Sequence, residues 1–85
     1  MSGWKTDVEH RSTARHRIAV LVGHNIAYHR NRRGWSCKVL AEKTGITTSR
    51  MNRWELAQSQ LPVADLVLIA HTLGVKVTEL LSVPS

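Results

Sequence analysis

Residues 36–55, SCKVLAEKTGITTSRMNRWE, read as two short helices joined by a tight turn. Leu40, Ala41, Ile46, Met51 and Trp54 share one apolar side, and Thr47, Thr48, Ser49, Arg50, Asn52 and Arg53 face the other way. Ala41 stands where the second helix crosses the first, so a larger side chain there would push the two apart. Gly45 takes positive φ at little cost, which the end of the first helix needs. Met51 fills the wedge between the helices. The second helix then presents hydroxyls, an amide and two guanidinium groups outward, a chemistry suited to base edges and phosphates.

Working outward, apolar residues recur at helical spacing from Thr13 to Arg32, at Ile18, Leu21, Val22 and Ile26. This is helix 1, basic at its end, where cations suit the helix dipole. Gly34 stops it and Ser36 caps helix 2, which runs to about Thr44. Thr47 or Thr48 caps helix 3, which ends near Glu55 or Leu56. Residues 57–61, AQSQL, form a polar loop, and Pro62 suits the first turn of helix 4. Leu66, Ile69, Ala70 and Leu73 give that helix an apolar stripe, and Gly74 closes it. Val75, Val77, Leu80 and Leu81 read as a short fifth helix or turn docking on the core. The expected domain covers residues 13–82. Residues 1–12, MSGWKTDVEHRS, are expected to form an arm or an early turn of helix, since Thr6 and Glu9 match a capping box that would start a helix near Asp7, with Ser12 or Thr13 as competing starts. Residues 83–85 are an expected frayed tail. Only Val75-Lys76-Val77 alternates with period two, too briefly for a strand, so the fold class is all-α with five helices.

The charge is unevenly placed. Residues 1–53 hold eleven Lys and Arg against three acids, while residues 54–85 hold one Lys against three acids, giving about +8 and −2 within a net charge of +6. Such a field favours a polyanion, either nucleic acid or an anionic membrane. Cys37 is the single cysteine, so no intrachain disulfide forms and a reducing cytoplasm is expected. The longest apolar run, Ile18 to Gly23, is too short to span a bilayer. With no phenylalanine in the chain, three tryptophans must supply most of the large aromatic packing.

Together these features resemble the Cro/cI-type, or XRE-type, helix-turn-helix regulators of bacteria and phages, over about residues 22–81. Arg30 followed by Gly34-Trp35-Ser36 is similar to the family's entry to helix 2. Leu40-Ala41 with Gly45-Ile46, Met51 with Trp54-Glu55, and Leu73-Gly74-Val75 with Leu80-Leu81 are similar to its later motifs. The resemblance implies a compact five-helix, lambda-repressor-like DNA-binding domain. It implies an ion pair between Arg30 and Glu55, base contacts from Thr48, Ser49, Arg50, Asn52 and Arg53 in the major groove, and phosphate contacts from Arg32, Arg33, Ser36, Cys37, Lys38, Thr47 and Gln58. It also implies a homodimer on a roughly two-fold symmetric double-stranded operator, and an association with the nucleoid. The chain departs from the family in three places. Cys37 stands where a phosphate-holding Gln is frequent. Ala57 stands where Gly is usual, which would alter the loop. Gln58, Ser59 and Gln60 replace lysines.

Other classes fit less well. His10, His16, His24, His29 and His71 form no metal-binding spacing with Cys37, so no metal or cofactor is expected. Neither Cys37 nor Glu55 is expected to be catalytic. A membrane-surface role for the basic, amphipathic residues 13–33 would use the apolar stripe that the core requires. An antitoxin that also binds DNA is the alternative reading; copurification of a small partner would mark it. The expected function is a sequence-specific transcriptional regulator, a repressor of phage or bacterial promoters.

Overall fold

The computed structural model describes the backbone of residues 3–83 and the side chains from Thr13 to Val83. The fold is all-α. Five helices follow one another: α1 Gly3–Arg32, α2 Cys37–Thr44, α3 Thr48–Glu55, α4 Val63–Leu73 and α5 Val77–Leu80. α1 begins at Gly3, ahead of Thr13 and of the alternative start near Asp7. Between Trp4 and Val22 the sequence holds neither proline nor glycine, so nothing ends a helix there once it has started. The expected arm therefore has a helical backbone from Gly3. Its side chains, Trp4, Lys5 and Arg11 among them, lie outside the described residues, as do Pro84 and Ser85 of the expected tail.

The core draws on every helix: Val22 and Ile26 from α1, Leu40 and Ala41 from α2, Met51 and Trp54 from α3, Ile69, Ala70 and Leu73 from α4, and Leu80 from α5. Ile46 closes it from the turn. Two expected core positions are corrected. Ile18 and Leu81 are 55% and 45% exposed. α1 runs past its neighbours, so its stripe is buried only from Val22 onward, and α5 is too short to turn both leucines inward. Pro62 also sits one step earlier than expected, at the N-cap of α4, with φ −62° and ψ 146°.

The helix ends share one closure. An N–H bonds the carbonyl five residues back at Trp35 to Arg30 (3.2 Å), Ile46 to Ala41 (3.1 Å), Gln58 to Arg53 (2.8 Å) and Val75 to Ala70 (3.0 Å). The residue before the donor is left-handed each time. Gly34, Gly45 and Gly74 serve at three ends, with φ 72°, 75° and 71°, and Ala57 serves at the end of α3 with φ 57°. The loop thus keeps the turn a glycine would make, rather than adopting a different one.

Two contacts of α1 fix the domain's other faces. A Cβ on Gly23 would lie 2.5 Å from the Trp54 carbonyl oxygen and 2.6 Å from that of Glu55, so α1 touches the end of α3 backbone to backbone. Asn25 is buried and donates through Nδ2 to the carbonyls of Leu80 (2.9 Å) and Ser82 (2.8 Å), tying α1 to the end of α5. α4 is apolar on both sides: Val63, Val67 and Leu68 point away from the core and are exposed.

Candidate nucleic-acid interface

α2 and α3 form the expected pair. Ser36 caps α2, its Oγ accepting from the Val39 N–H at 3.2 Å, and Thr47 caps α3, its Oγ1 accepting from the Arg50 N–H at 3.2 Å. Gly45 makes the turn between them. Leu40, Ala41, Ile46, Met51 and Trp54 are all buried on the inner side.

Met51 and Trp54 define the inward side of α3. At about 100° per residue, Ser49, Asn52 and Arg53 then fall on the outward side, with Thr48 and Arg50 on opposite flanks. All five are exposed. No hydrogen bond or ion pair with another described residue holds the side chains of Asn52 and Arg53. Arg50 is engaged: its Nη2 lies 3.6 Å from Asp65 Oδ2 of α4, and its guanidinium 5.0 Å from the centre of the Trp54 ring.

One guanidinium orients this surface. Arg30, at the end of α1, donates from Nε to Glu55 Oε2 at 2.8 Å and from Nη2 to Glu55 Oε1 at 2.9 Å, a bidentate contact with the last residue of α3. Its Nη1 donates to the Trp35 carbonyl at 2.8 Å, just before the α2 cap, so the same group sets the start of α2 against the end of α3. The pair is largely buried, with side chains 14% and 8% exposed. The hydrogen bonds it donates to Glu55 raise the Arg30 pKa above its ordinary value, against the opposing effect of burial. Burial pushes the Cys37 thiol up as well, with the Glu55 carboxylate adding to the shift and Arg30 opposing it. Cys37 is therefore a neutral thiol at physiological pH.

The expected phosphate contacts divide into two groups. Ser36, Cys37 and Lys38 lie at the start of α2, where the first N–H groups have no partner inside the helix. Thr47 begins α3, and Gln58 is exposed in the loop that follows it. Arg32 and Arg33 lie elsewhere. Arg32 turns back along α1, donating to the Tyr28 hydroxyl at 2.8 Å. Arg33 lies 5.2 Å from the centre of the Trp35 ring, which Lys43 also approaches at 4.7 Å. The Arg33 Nη2 would lie 2.6 Å from a Cβ on Gly74, so that guanidinium rests on the end of α4. With His29 and Tyr28 these arginines line a separate cleft bounded by Leu73, Val75 and Glu79.

Sequence reading missed three groups that position the surface. Asp65 engages Arg50, Gly23 sets how closely α1 meets α3, and the Trp54 indole N–H donates to the Gln60 carbonyl at 3.1 Å, fixing the loop after α3. Asp65 carried the only readable signal, being the single carboxylate of α4.

Among the described residues no His, Cys, Asp and Glu side chains gather into a metal site, and no helix is long and apolar enough to cross a membrane. A helix-turn-helix family model (HTH_3) matches residues 26–80. A comparison with curated protein sequences gave no significant match. Several solved structures share the fold. A hypothetical transcription factor, NHTF, from Neisseria aligns with TM-score 0.76 and 24% identity over 79% of this chain and 77% of its own. The restriction-modification controller protein C.AhdI from Aeromonas hydrophila aligns with TM-score 0.70 and 24% identity, over 73% of this chain and 94% of its own. An HTH_3 family transcriptional regulator from Vibrio cholerae aligns with TM-score 0.73 and 21% identity, over 78% of this chain and 37% of its own.

Proposed function

The chain belongs to the Cro/cI-type (XRE) helix-turn-helix family of DNA-binding transcriptional regulators, and on that premise we propose that it reads double-stranded DNA in a sequence-specific manner through α3 and acts as a repressor. The observation that carries this reading is the outward face of α3. It offers the Ser49 hydroxyl, the Asn52 amide and the Arg53 guanidinium on a helix that Arg30 and Glu55 hold in place. A bidentate Asn–adenine or Arg–guanine contact discriminates by about 1–3 kcal/mol. The start of α2 supplies backbone N–H groups and Lys38 for phosphate, with the hydroxyls of Ser36 and Thr47 free to donate while they serve as cap acceptors. Arg32 and Arg33, resting on aromatic rings away from α3, add mainly to the field that draws DNA in. Steric occlusion of a promoter needs no surface beyond this one.

A short reading helix gives limited affinity, so the operator is two-fold symmetric and is bound by a homodimer. The exposed Val63, Val67 and Leu68 on α4 offer apolar surface for self-association, which sedimentation at rising protein concentration measures. The test of the reading itself is selection from random duplexes. Asn52→Ala and Arg53→Ala should each relax the preference at one base pair per half-site, and an unchanged preferred sequence in both variants would remove α3 as the reader. Affinity should also fall with salt. About four phosphates neutralised per protomer, and so about eight per dimer, give a log–log slope of roughly −7.

A further inference from the structure

α3 and α4 meet at an ion pair on the flank of the outward face, and its two members are unequally placed. Arg50 Nη2 lies 3.6 Å from Asp65 Oδ2, with the side chains 55% and 25% exposed. The guanidinium also packs on the Trp54 ring, 5.0 Å from its centre. That ring cannot swing away, because Trp54 is buried and its indole N–H is held by the Gln60 carbonyl. Asp65 is in the first turn of α4, where the positive end of the helix dipole favours a carboxylate. Pro62 caps that helix without a side-chain hydrogen bond, and Asp65 is the one acidic residue in its first turn.

We propose that Asp65 is a specificity-determining residue: it parks Arg50 against Trp54 and so keeps one of the two α3 arginines off DNA phosphates. This rests on the reading that α3 enters the groove. The argument turns on what loose binding rewards. Non-specific affinity comes almost wholly from cations that neutralise phosphates and release counterions. A free Arg50 would add one such contact on any sequence, at a point one residue from Ser49 and three from Arg53. Tied to Asp65, it adds none. Base contacts by Ser49, Asn52 and Arg53 lose nothing by this, because those side chains stand on the outward side, away from α4. Asp65 therefore lowers affinity for random DNA more than for the operator, and widens the ratio between them.

The experiment compares wild type, Asp65→Asn, Arg50→Ala and the double variant for binding to the selected operator and to a short duplex of random sequence, across a salt series. For each protomer bound, Asp65→Asn is expected to tighten binding to the random duplex roughly five- to tenfold near 0.1 M salt and to steepen the log–log salt slope by about 0.9, the signature of one added phosphate contact. The operator should gain less, so the specificity ratio falls. Arg50→Ala alone should leave random-duplex binding nearly unchanged, and in the double variant the gain should vanish. If Asp65→Asn changes neither affinity nor slope, or if Arg50→Ala alone flattens the slope by the same amount, Arg50 is not parked and the proposal fails. A gain that survives in the double variant also overturns it, since Asp65 would then act through its own charge alone. Circular dichroism melts check folding, and Asp65→Ser, which also removes the charge, replaces Asp65→Asn if that variant does not fold. Loss of the α3 reading would show separately, as an operator preference unmoved by Asn52→Ala and Arg53→Ala.

Discussion

Ala57 adopts a conformation that its own Cβ resists. It holds φ 57° so that the Gln58 N–H can reach the Arg53 carbonyl and close α3. A left-handed non-glycine residue costs about 1–2 kcal/mol, partly offset by the smaller backbone entropy that alanine loses on folding. Ala57→Gly is therefore expected to stabilise the domain by about 0.5–1 kcal/mol, raising Tm by roughly 4 °C, which calorimetry reads. Gly23 is the opposite case. A methyl group there would meet two backbone oxygens near 2.5 Å, and backbone cannot step aside as a flexible side chain can. Gly23→Ala should cost about 1–3 kcal/mol or more, as overpacking does, by wedging α1 away from α3. A denaturation midpoint equal to wild type would show that the helices slide apart freely. The two residues differ in how far sequence discloses them. Ala57 is visible as a departure from an expected glycine, but its consequence is not: hydrogen bonds on both sides hold the turn, so the residue bends to the loop. Gly23 lies inside an apolar run on a long helix, and only the approach of another chain segment shows what it does.

The helices themselves were largely legible, because their ends are written in residue types with local effects. Ser36 and Thr47 each satisfy an N–H within three residues, and Gly34, Gly45 and Gly74 each permit a left-handed step. Those interactions need no knowledge of the fold. The start of α1 was not legible in this way, since Thr6, Ser12 and Thr13 are possible caps that a continuing helix ignores. Asn25 was hidden for a different reason: it interrupts an apolar stripe, and its partners are carbonyls more than fifty residues away. The Arg30–Glu55 link could be expected only from the resemblance, and its geometry is what joins three elements. Because one carboxylate accepts two hydrogen bonds from a guanidinium that also holds the Trp35 carbonyl, removing it leaves Arg30 largely buried without its counter-charge. Glu55→Ala should cost about 3 kcal/mol, at the lower end for a buried pair because Arg30 keeps some access to solvent. Arg30→Met, which removes the charge and keeps much of the volume, should lose at least as much, since it strands the more buried Glu55. A loss below about 1 kcal/mol for Glu55→Ala, the range of exposed pairs, would show that the link adds little.

Charge and shape act together across the molecule. The basic excess lies in residues 1–53, which contain α1, α2 and nearly all of α3, while α4 and α5 are close to neutral with a slight acidic balance. The field that draws a polyanion in therefore comes mainly from α1, α2 and α3. From Thr13 to Ile18 every residue is exposed, and burial is complete only at Val22, so the first half of α1 adds nothing to the core within the described residues. We propose that this end of α1 adds affinity for DNA without supporting the fold, and deletion of residues 1–11 separates the two roles. The deletion removes Lys5 and Arg11 together with Asp7 and Glu9, two cations against two acids, so the formal net charge stays at +6. Long-range attraction is then unchanged, and any loss of affinity reports contacts made locally by the deleted turns. The expected result is a Tm close to wild type with DNA binding weakened several-fold, and with the loss concentrated in the dissociation rate, because steering at a distance sets the association rate. A large fall in Tm would make the segment structural, with Trp4 and Val8 as the residues whose loss matters. An unchanged Tm with unchanged binding would confine DNA recognition to α2, α3 and the loops that flank them.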